Sequence, residues 1–573
     1  AKSSEYSPFW DDITWIIRWA LDGKEVRAYE KAYPKNTQYF GRPGVTFPAR
    51  AVLGFNPRAF PTGIGFGHMG SVAFPKGTDA NTLLGYLSSR PAEYVLSFSN
   101  GSIQGRKGAY QNHYEVGQVG DLPWPELAPA VAKEVGKLGD TISRAAMMLL
   151  REDETTHQHR PSHALRSAKT LDEFIAAELA EDENLVEAAL SARASLDGLV
   201  STALGFKRED IDAMKEEFAE CDAPTDGPWC PERPTLNNDL RKDRARSLVS
   251  LAVGLVAGRF DIRRFEEDAP NPSPLDTFDV APITLLRTPK PRGYPLELPS
   301  SAMFVVDRAD PDLADRLLGD ALARVWPNAS PDAVTQLSGV LRVAHLSSYL
   351  SDPGASGFYT DHARRYSKGR RRAPLYTWFG TASGTFGVLL MAPAATADTL
   401  FILRNEILTP RLARAERAAD AARSETGETG TAATRSALAA AEALVAELRA
   451  FASELDRVIP LWGPSIADGV VLNTAPFYRL VPHRDSRTKA EATWKELSDG
   501  DLDWAHLAMR LWPERVVPKC AKDRSLAIAH GLEDVFWAEG ADGRWTARKS
   551  PTRGVDELVR ERTSPAVKSA LSS

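Results

Sequence analysis

The sequence contains few cysteines and no long hydrophobic run, and each shortage excludes a class of protein. The 573 residues include three cysteines, Cys221, Cys230 and Cys520. This number is small and odd, so a disulfide framework is not expected, and the scarcity of cysteine is typical of proteins of the reducing cytoplasm. No apolar stretch could cross a bilayer and no signal peptide opens the sequence, so we expect no membrane partner. The net charge of −6 excludes a uniformly basic nucleic-acid binder but not a local basic face.

Catalytic and cofactor motifs are also missing. An amino-methyltransferase needs a glycine-rich loop after a strand and an (N/D)PP(Y/F/W) segment, and residues 473–477 (NTAPF) lack the second proline. Residues 65–70 match GxGxxG, but Pro75 ends a strand-like run where a helix should follow, so we interpret them as a turn. A metabolic enzyme that binds a nucleotide there is the weakest alternative. We predict no catalytic residue and no cofactor site in this chain.

Metal-site signals are weak for the same contextual reason. Asp12, Asp22 and Lys24 resemble a nuclease triad only loosely, and a surface turn explains them better. The histidines at 157, 159 and 163 lie in a polar loop without a nearby cysteine. We therefore predict no metal site.

What the sequence does contain is typical of a folded, multidomain α+β protein. With 43% hydrophobic and 25% charged residues, its length predicts three or four domains at about 150 residues each. We expect a strand at 51–55, a strand at 302–307, and a two-stranded hairpin at 376–391. The predicted segments are a mixed α/β, β-rich recognition module (1–125), a helical domain (126–267), a proline-rich linker (268–300), an α/β unit (301–406), a helical hairpin (407–460), a Trp/His-rich unit (461–540) and a polar tail (541–573).

Residues 81–125 combine a short amphipathic helix with a polar, glycine-rich loop. Asn81 is a good N-cap, and leucines at 83, 84 and 87 form an apolar stripe before Pro91 interrupts the helix. Amide and cationic side chains that can read base edges follow among glycines. The candidate base-reading residues are Arg90, Gln104, Arg106, Lys107, Gln111 and Asn112.

The strongest electrostatic signal lies at residues 359–378 (YTDHARRYSKGRRRAPLYTW). Six cations crowd into nine positions beside one acid, Asp361, with aromatic residues interleaved. A cation cluster of this kind suits DNA phosphates, and a solvated charge run or arginines paired with acids is an equally weighted alternative. The candidate phosphate-binding residues are Arg364, Arg365, Lys368, Arg370, Arg371 and Arg372.

Three segments resemble one known family. The run LLGYLSSRPAEYVLSF with NGSIQGRKGAYQNHYEVGQVGDLPWP, the block DHARRYSKGRRRAPLYTW, and DWAHLAMRLWPERVVPKCAKDRSLAIAHGLEDVFW occur in that order. They resemble the C-terminal part of the PglX/BrxX-like adenine-specific DNA methyltransferases of BREX, Pgl and DISARM phage-defence systems. The family's catalytic domain is not present, so we expect either a truncated polypeptide or a natural split.

The resemblance implies a function for the chain. It would recognise double-stranded DNA for a methyltransferase that uses S-adenosylmethionine to modify adenine N6 and mark host DNA. Its partners would be the catalytic domain or subunit and other phage-defence proteins. The alternative is a free-standing, non-enzymatic specificity subunit that recruits methylase chains through residues 407–455. Within the Trp- and His-rich residues 494–537, we expect Trp504, Leu507, Leu511 and Trp512 to fall on one helical face, and we assign the segment to packing.

Overall fold

The computed structural model describes residues 7–13, 17, 19–51, 54–67, 69–100, 112–156, 159–160, 162–219, 236–263, 273–276, 294–296, 303–367, 374–427, 430–541 and 544–572. The fold is mixed α+β and mostly helical, with 60% helix and 8% strand in small sheets. The predicted α+β class is confirmed at this level. Among the described residues we find no helix with the length and hydropathy to span a bilayer.

The strands are short and pair antiparallel in small sheets. The orders are β3-β1-β4, β2-β5, β6-β8-β7 and β9-β10. The strands are β1 (Gly44–Pro48), β2 (Arg50–Ala51), β3 (Arg58–Phe60), β4 (Gly70–Ala73), β5 (Asn112–His113), β6 (Met303–Asp307), β7 (Tyr376–Gly380), β8 (Phe386–Met391), β9 (Trp537–Glu539) and β10 (Trp545–Ala547).

The helices carry most of the chain. They are α1 (Ala20–Ala28), α2 (Ala80–Leu87), α3 (Arg90–Asn100), α4 (Val116–Gly120), α5 (Pro129–Met148), α6 (Ala164–Ser167), α7 (Leu171–Ala203), α8 (Arg208–Ala219), α9 (Asn238–Val256), α10 (Pro311–Val325), α11 (Ala333–Leu341), α12 (Leu346–Leu350), α13 (Phe358–Arg365), α14 (Thr399–Ile402), α15 (Thr409–Thr426), α16 (Ala432–Val458), α17 (Val470–Thr474), α18 (Arg484–Asp499), α19 (His506–Leu511), α20 (Pro513–Cys520), α21 (Arg524–Ala529), α22 (Glu533–Phe536), α23 (Val555–Arg562) and α24 (Pro565–Ser572).

Internal contacts divide the chain into two compact units. The first unit comprises residues 1–16, 34–241 and 263–283, and the second comprises residues 17–33, 242–262 and 284–573. Neither unit is one continuous stretch of sequence. Most of the predicted linker at 268–300 lies outside the described residues.

The core of the first unit lies between its three-stranded sheet and three helices. Helix α5 buries Val135, Ile142 and Ala146 at spacings of seven and four, so one face of the helix is apolar. Helix α5 packs against both α2 and α7. The contact with α2 is close because glycine occupies it: a Cβ on Gly85 would lie 2.6 Å from the Val135 carbonyl oxygen. Only glycine fits at that position.

Glu93 is a buried carboxyl group in this first unit. One of its carboxyl oxygens accepts a hydrogen bond from the Phe55 backbone N–H at 2.8 Å. Burial raises its pKa to about 7, although the Phe55 N–H and the charges of Arg193 and Arg90 oppose that shift. The residue therefore fixes a loop to helix α3 but loses its proton only near neutral pH.

The second unit is built around the sheet β6-β8-β7. All residues of β7 and β8 are buried, and the two strands pair from Tyr376↔Met391 to Gly380↔Gly387. The predicted hairpin at 376–391 and the predicted strand at 302–307 are thus present, the latter as β6. Asp307 at the end of β6 accepts a hydrogen bond from Arg411 Nη2 at 3.1 Å, and both side chains are buried. This pair joins the sheet to α15.

Helices α15 and α16 pack against each other beside this sheet. The ion pairs Arg423–Glu442 and Arg449–Glu416 run in opposite order along the two helices, which makes the helices antiparallel. Their small and apolar side chains belong to the core of the second unit. These buried residues are Ala415, Ala419, Val445, Leu448, Phe451, Ala452 and Leu455.

Some local predictions differ from the structure. Asp79, not Asn81, is the N-cap of α2, because the Asp79 carboxylate accepts hydrogen bonds from both the N–H and the hydroxyl of Thr82. Of the strand expected at 51–55, Ala51 belongs to β2, residues 52 and 53 lie outside the described part of the chain, and Phe55 is not in a strand but packs in the core with its N–H bonded to Glu93.

The C-terminal segment also differs from the expected polar tail. It contains β10 and the two helices α23 and α24. Leu558 on α23 and Val567 and Ala570 on α24 are buried in the core of the second unit, and the last two are three residues apart on one helical face. The many charged residues of this segment hid these few apolar positions.

We predict that Glu93 gives the first unit a specific pH dependence. Its folded-state pKa of about 7 lies above its unfolded value of about 4.3, so its contribution to stability is complete below the unfolded value and disappears as the pH rises through 7. Glu93→Gln keeps the hydrogen bond to Phe55 and removes the charge. We expect it to raise the free energy of unfolding by about 2–3 kcal/mol at pH 8 relative to wild type, with little change at pH 4.5.

Urea unfolding followed at pH 4.5, 6, 7 and 8 measures this effect. Glu187→Gln, which removes an exposed carboxylate on α7, is the matched control and should leave the pH profile unchanged. The same pH dependence in wild type and Glu93→Gln would contradict the prediction.

Candidate nucleic-acid interface

The basic segment predicted from the sequence connects α13 to β7 in the second unit. Its ends are held together by His362, whose Nε2 accepts hydrogen bonds from the backbone N–H groups of Leu375 at 3.0 Å and Tyr376 at 3.2 Å. An Nε2 that accepts leaves the ring proton on Nδ1. Lys368, Arg370, Arg371 and Arg372 lie outside the described residues, so their role stays a prediction.

Asp361 organises the described arginines of this segment. Its Oδ1 accepts a hydrogen bond from Arg364 Nη2 at 2.7 Å, and its Oδ2 accepts one from Arg365 Nε at 2.9 Å. Arg246 Nη1 from α9 lies 3.9 Å from Oδ1. The Asp361 side chain is only 11% exposed, so its charge is stabilised by these cations and not by water.

Positive charge exceeds negative charge at this cluster. Arg365 also lies 3.5 Å from Asp243 Oδ1, through Nη2, and donates a hydrogen bond to the Ser247 hydroxyl. Within the described residues, these three guanidinium groups thus lie against the carboxylates of Asp361 and Asp243, and Asp243 also pairs with Arg244. The Arg364 side chain is 64% exposed, so part of this excess faces solvent. We call Arg246, Arg364, Arg365 and Asp361 the arginine cluster.

The sequence did not identify Arg246 or Arg259 as members of this region. Arg246 Nε is buried and has no hydrogen-bond partner within the described residues. The Arg259 guanidinium lies 4.3 Å from the Phe260 ring centroid and 5.3 Å from that of Tyr366. The run RKDRARS at 241–247 was the available signal, but only tertiary structure places it beside a segment more than 100 residues away.

Three of the four aromatic residues interleaved with the basic segment belong to the core, and the fourth, Tyr366, is partly exposed. Tyr359, Tyr376 and Trp378 are at most 2% exposed and cannot present their ring faces to DNA bases. The Tyr359 hydroxyl donates to the Tyr376 carbonyl at 3.2 Å, and burial raises its pKa to about 12. These buried residues form the core against which the arginine cluster is positioned.

Most of the predicted base-reading residues lie outside the part of the chain that the structure describes. Gln104, Arg106, Lys107 and Gln111 lie outside the described residues, and only the backbone of Asn112 is described, in β5. Arg90 begins α3; its N–H donates to Asp197 Oδ1 at 2.9 Å, and its guanidinium lies 5.7 Å from the Phe218 ring centroid. Arg90 thus takes part in the packing of the first unit.

The other chemical candidates have structural partners. The Asn473 side chain bonds the backbone of Ser465 and Gly469, so it is engaged within its own turn. His159 contacts the Arg151 carbonyl at 2.9 Å. The residues that the structure describes contain no group of three or more His, Cys, Asp or Glu that could hold a metal ion.

The histidines of the terminal Trp/His-rich segment are also bonded within the fold. His506 Nδ1 lies 3.0 Å from Asp468 Oδ1, and His530 Nε2 contacts the Asp503 carbonyl at 2.7 Å. Burial lowers the pKa of His530. A packing role explains both contacts.

We predict that Asp361→Asn destabilises the second unit. The change removes the negative charge that three guanidinium groups share, and breaking such a buried pair costs about 3 kcal/mol. Asp420→Asn is the matched control, because Asp420 pairs with Arg423 on an exposed surface and should cost less than about 1 kcal/mol. Chemical unfolding at neutral pH measures both, and equal, small effects would contradict the prediction.

Comparisons with known proteins do not assign a function, so the functional argument rests on the residues of this chain. The sequence matches no protein-family model and no curated protein sequence.

Proposed function

We propose that the chain binds double-stranded DNA as the target-recognition part of an adenine-N6 DNA methyltransferase of the PglX-like kind. The resemblance of three ordered segments supplies the methyltransferase and phage-defence context. The arginine cluster is the observation that supports DNA binding. Methyl transfer and S-adenosylmethionine binding are left to a catalytic domain or subunit.

The physical support comes from charge that remains after internal pairing. Phosphate oxygens can accept hydrogen bonds from guanidinium groups that a shared carboxylate satisfies only in part. Asp361 has two oxygens for three arginines, and Arg364 is largely exposed beside them. The sequence has four more cations shortly after Arg365, namely Lys368, Arg370, Arg371 and Arg372, all outside the described residues.

Specificity is assigned to a different segment. Phosphate contacts fix position on the duplex but do not read sequence, so base-edge contacts are required in addition. The polar residues of the segment 81–125 have side chains that can make such contacts. Arginine or lysine suits guanine O6 and N7, and asparagine or glutamine suits adenine N6 and N7.

We predict that duplex binding depends steeply on salt and that the basic segment carries about half of that dependence. If six cations contact phosphates, affinity falls about 10³-fold between about 50 and 200 mM salt. Changing Arg370, Arg371 and Arg372 together to Ala should lower the slope of log K against log[salt] by about three. Fluorescence anisotropy with random-sequence duplex measures the slope.

The control is a triple variant with the same change in net charge elsewhere. Arg414, Arg417 and Arg435 are exposed on α15 and α16, and their joint change to Ala should leave the slope unaltered. The proposal fails if both triple variants shift the slope equally, since net charge alone would then explain the binding.

We predict further that Arg106→Ala lowers sequence selectivity about 5- to 150-fold while leaving non-specific affinity nearly intact. A bidentate arginine–guanine pair contributes about 1–3 kcal/mol of discrimination, and a single phosphate contact contributes none. Competition of a site selected from a random DNA pool against unselected DNA measures the selectivity. Unchanged selectivity in Arg106→Ala would count against the assigned reader.

A further inference from the structure

A cavity of about 240 Å³ lies inside the second unit, next to the arginine cluster. Helices α13, α17 and α18 and the start of β7 contribute its walls. Much of the wall is apolar, from Ala363, Val470, Val471, Val481 and Ala490. Because each of these elements is also packed in the core, the cavity is part of the folded unit.

Charged groups in the lining are mostly positive. Arg364 and Lys489 line the cavity with exposed side chains, and Asp485 is the opposing carboxylate there. The cavity also contacts the first turn of α18, where His483 Nδ1 accepts a hydrogen bond from the Ser486 N–H and caps the helix. Two cations thus face one carboxylate in the described lining, and Asp361, which accepts a hydrogen bond from Arg364 Nη2, neutralises part of that positive charge.

The lining also contains hydroxyl groups, some of which already donate their protons to backbone carbonyl oxygens. Thr360, Ser367 and Ser486 border it, and Ser367 and Pro374 flank the basic segment on either side. The hydroxyl of Thr360 bonds the Gly354 carbonyl at 2.7 Å, and that of Ser367 bonds the Ala363 carbonyl. A hydroxyl that donates to a carbonyl can still accept, but cations must supply most of the donors to an anion.

We propose that this cavity binds a small molecule with a compact apolar body and a single anionic head, a carboxylate or a phosphate. The body lies against the valine and alanine wall, and the head contacts Arg364 and Lys489. The volume lies below the range of about 300–1,000 Å³ typical of sites for drug-sized ligands, so it suits a single ring or a short branched chain. This site is separate from base reading and does not require DNA.

The test uses matched one-ring probes with the full chain and no DNA. Phenyl phosphate and benzoate carry the anion on the same apolar body, benzamide is neutral, benzylamine is cationic, and inorganic phosphate has the head alone. Saturation-transfer NMR and calorimetry measure binding. We expect one or both anionic probes to bind with a Kd of about 1 mM or tighter, and the other three at least about tenfold more weakly. The tighter of phenyl phosphate and benzoate identifies the head.

Two kinds of variant locate the binding. Arg364→Gln removes one charged donor and should weaken the preferred anionic probe about tenfold, whereas Arg417→Gln on α15 should not change its affinity. Two further variants, Ala363→Phe and Val471→Phe, each fill the cavity from a different wall and should abolish binding of the probe. Thermal unfolding shows which of the two variants remains folded, and that variant is used.

Several outcomes would overturn the proposal. One is equal binding of benzamide and the anionic probes, and another is inorganic phosphate binding as tightly as phenyl phosphate. A third is that both Arg364→Gln and the folded cavity-filling variant bind the preferred anionic probe with unchanged affinity. Absence of binding at about ten times the expected Kd overturns it as well. Because no DNA is present, none of these outcomes bears on duplex recognition.

Discussion

The buried carboxylate of Asp361 is the constraint on which the candidate interface depends. A charge with so little access to water must be paired, and here Arg364 and Arg365 supply hydrogen bonds from the same helix, while Arg246 comes from α9. The carboxylate therefore holds α13 and α9 together electrostatically. It also fixes where the basic segment begins.

His362 fixes where that segment returns to the sheet. A single ring nitrogen accepts from two consecutive N–H groups, at Leu375 and Tyr376, so β7 begins beside the end of α13. The buried aromatic residues Tyr359, Tyr376 and Trp378 pack where α13 and β7 meet, which fixes the two elements in place. A rigid frame of this kind suits recognition of phosphates, since less side-chain and backbone freedom is lost when the partner binds.

Local patterns predicted the fold and the site to different extents. The hairpin at 376–391 and the strand β6 follow from short apolar runs, in the hairpin separated by a glycine-containing turn, and the paired helices α15 and α16 follow from helical spacing. The N-cap at Asp79 and the last two helices were missed, because they depend on which side chain reaches an N–H group and on a few apolar residues among many charges. Asp361 was visible as one acid among cations, but its pairing with Arg246 arises from tertiary packing alone.

Arg364 connects the two proposals, since it borders both the arginine cluster and the cavity. An anion in the cavity that pairs with Arg364 would withdraw one cation from the proposed phosphate-binding surface. By linkage the effect is reciprocal, so DNA on this surface would weaken the small ligand by the same factor. The loss of one phosphate contact corresponds to a decrease of about one in the salt slope. In such an arrangement Asp361 sets the strength of the coupling, because it competes with both anions for the same guanidinium group.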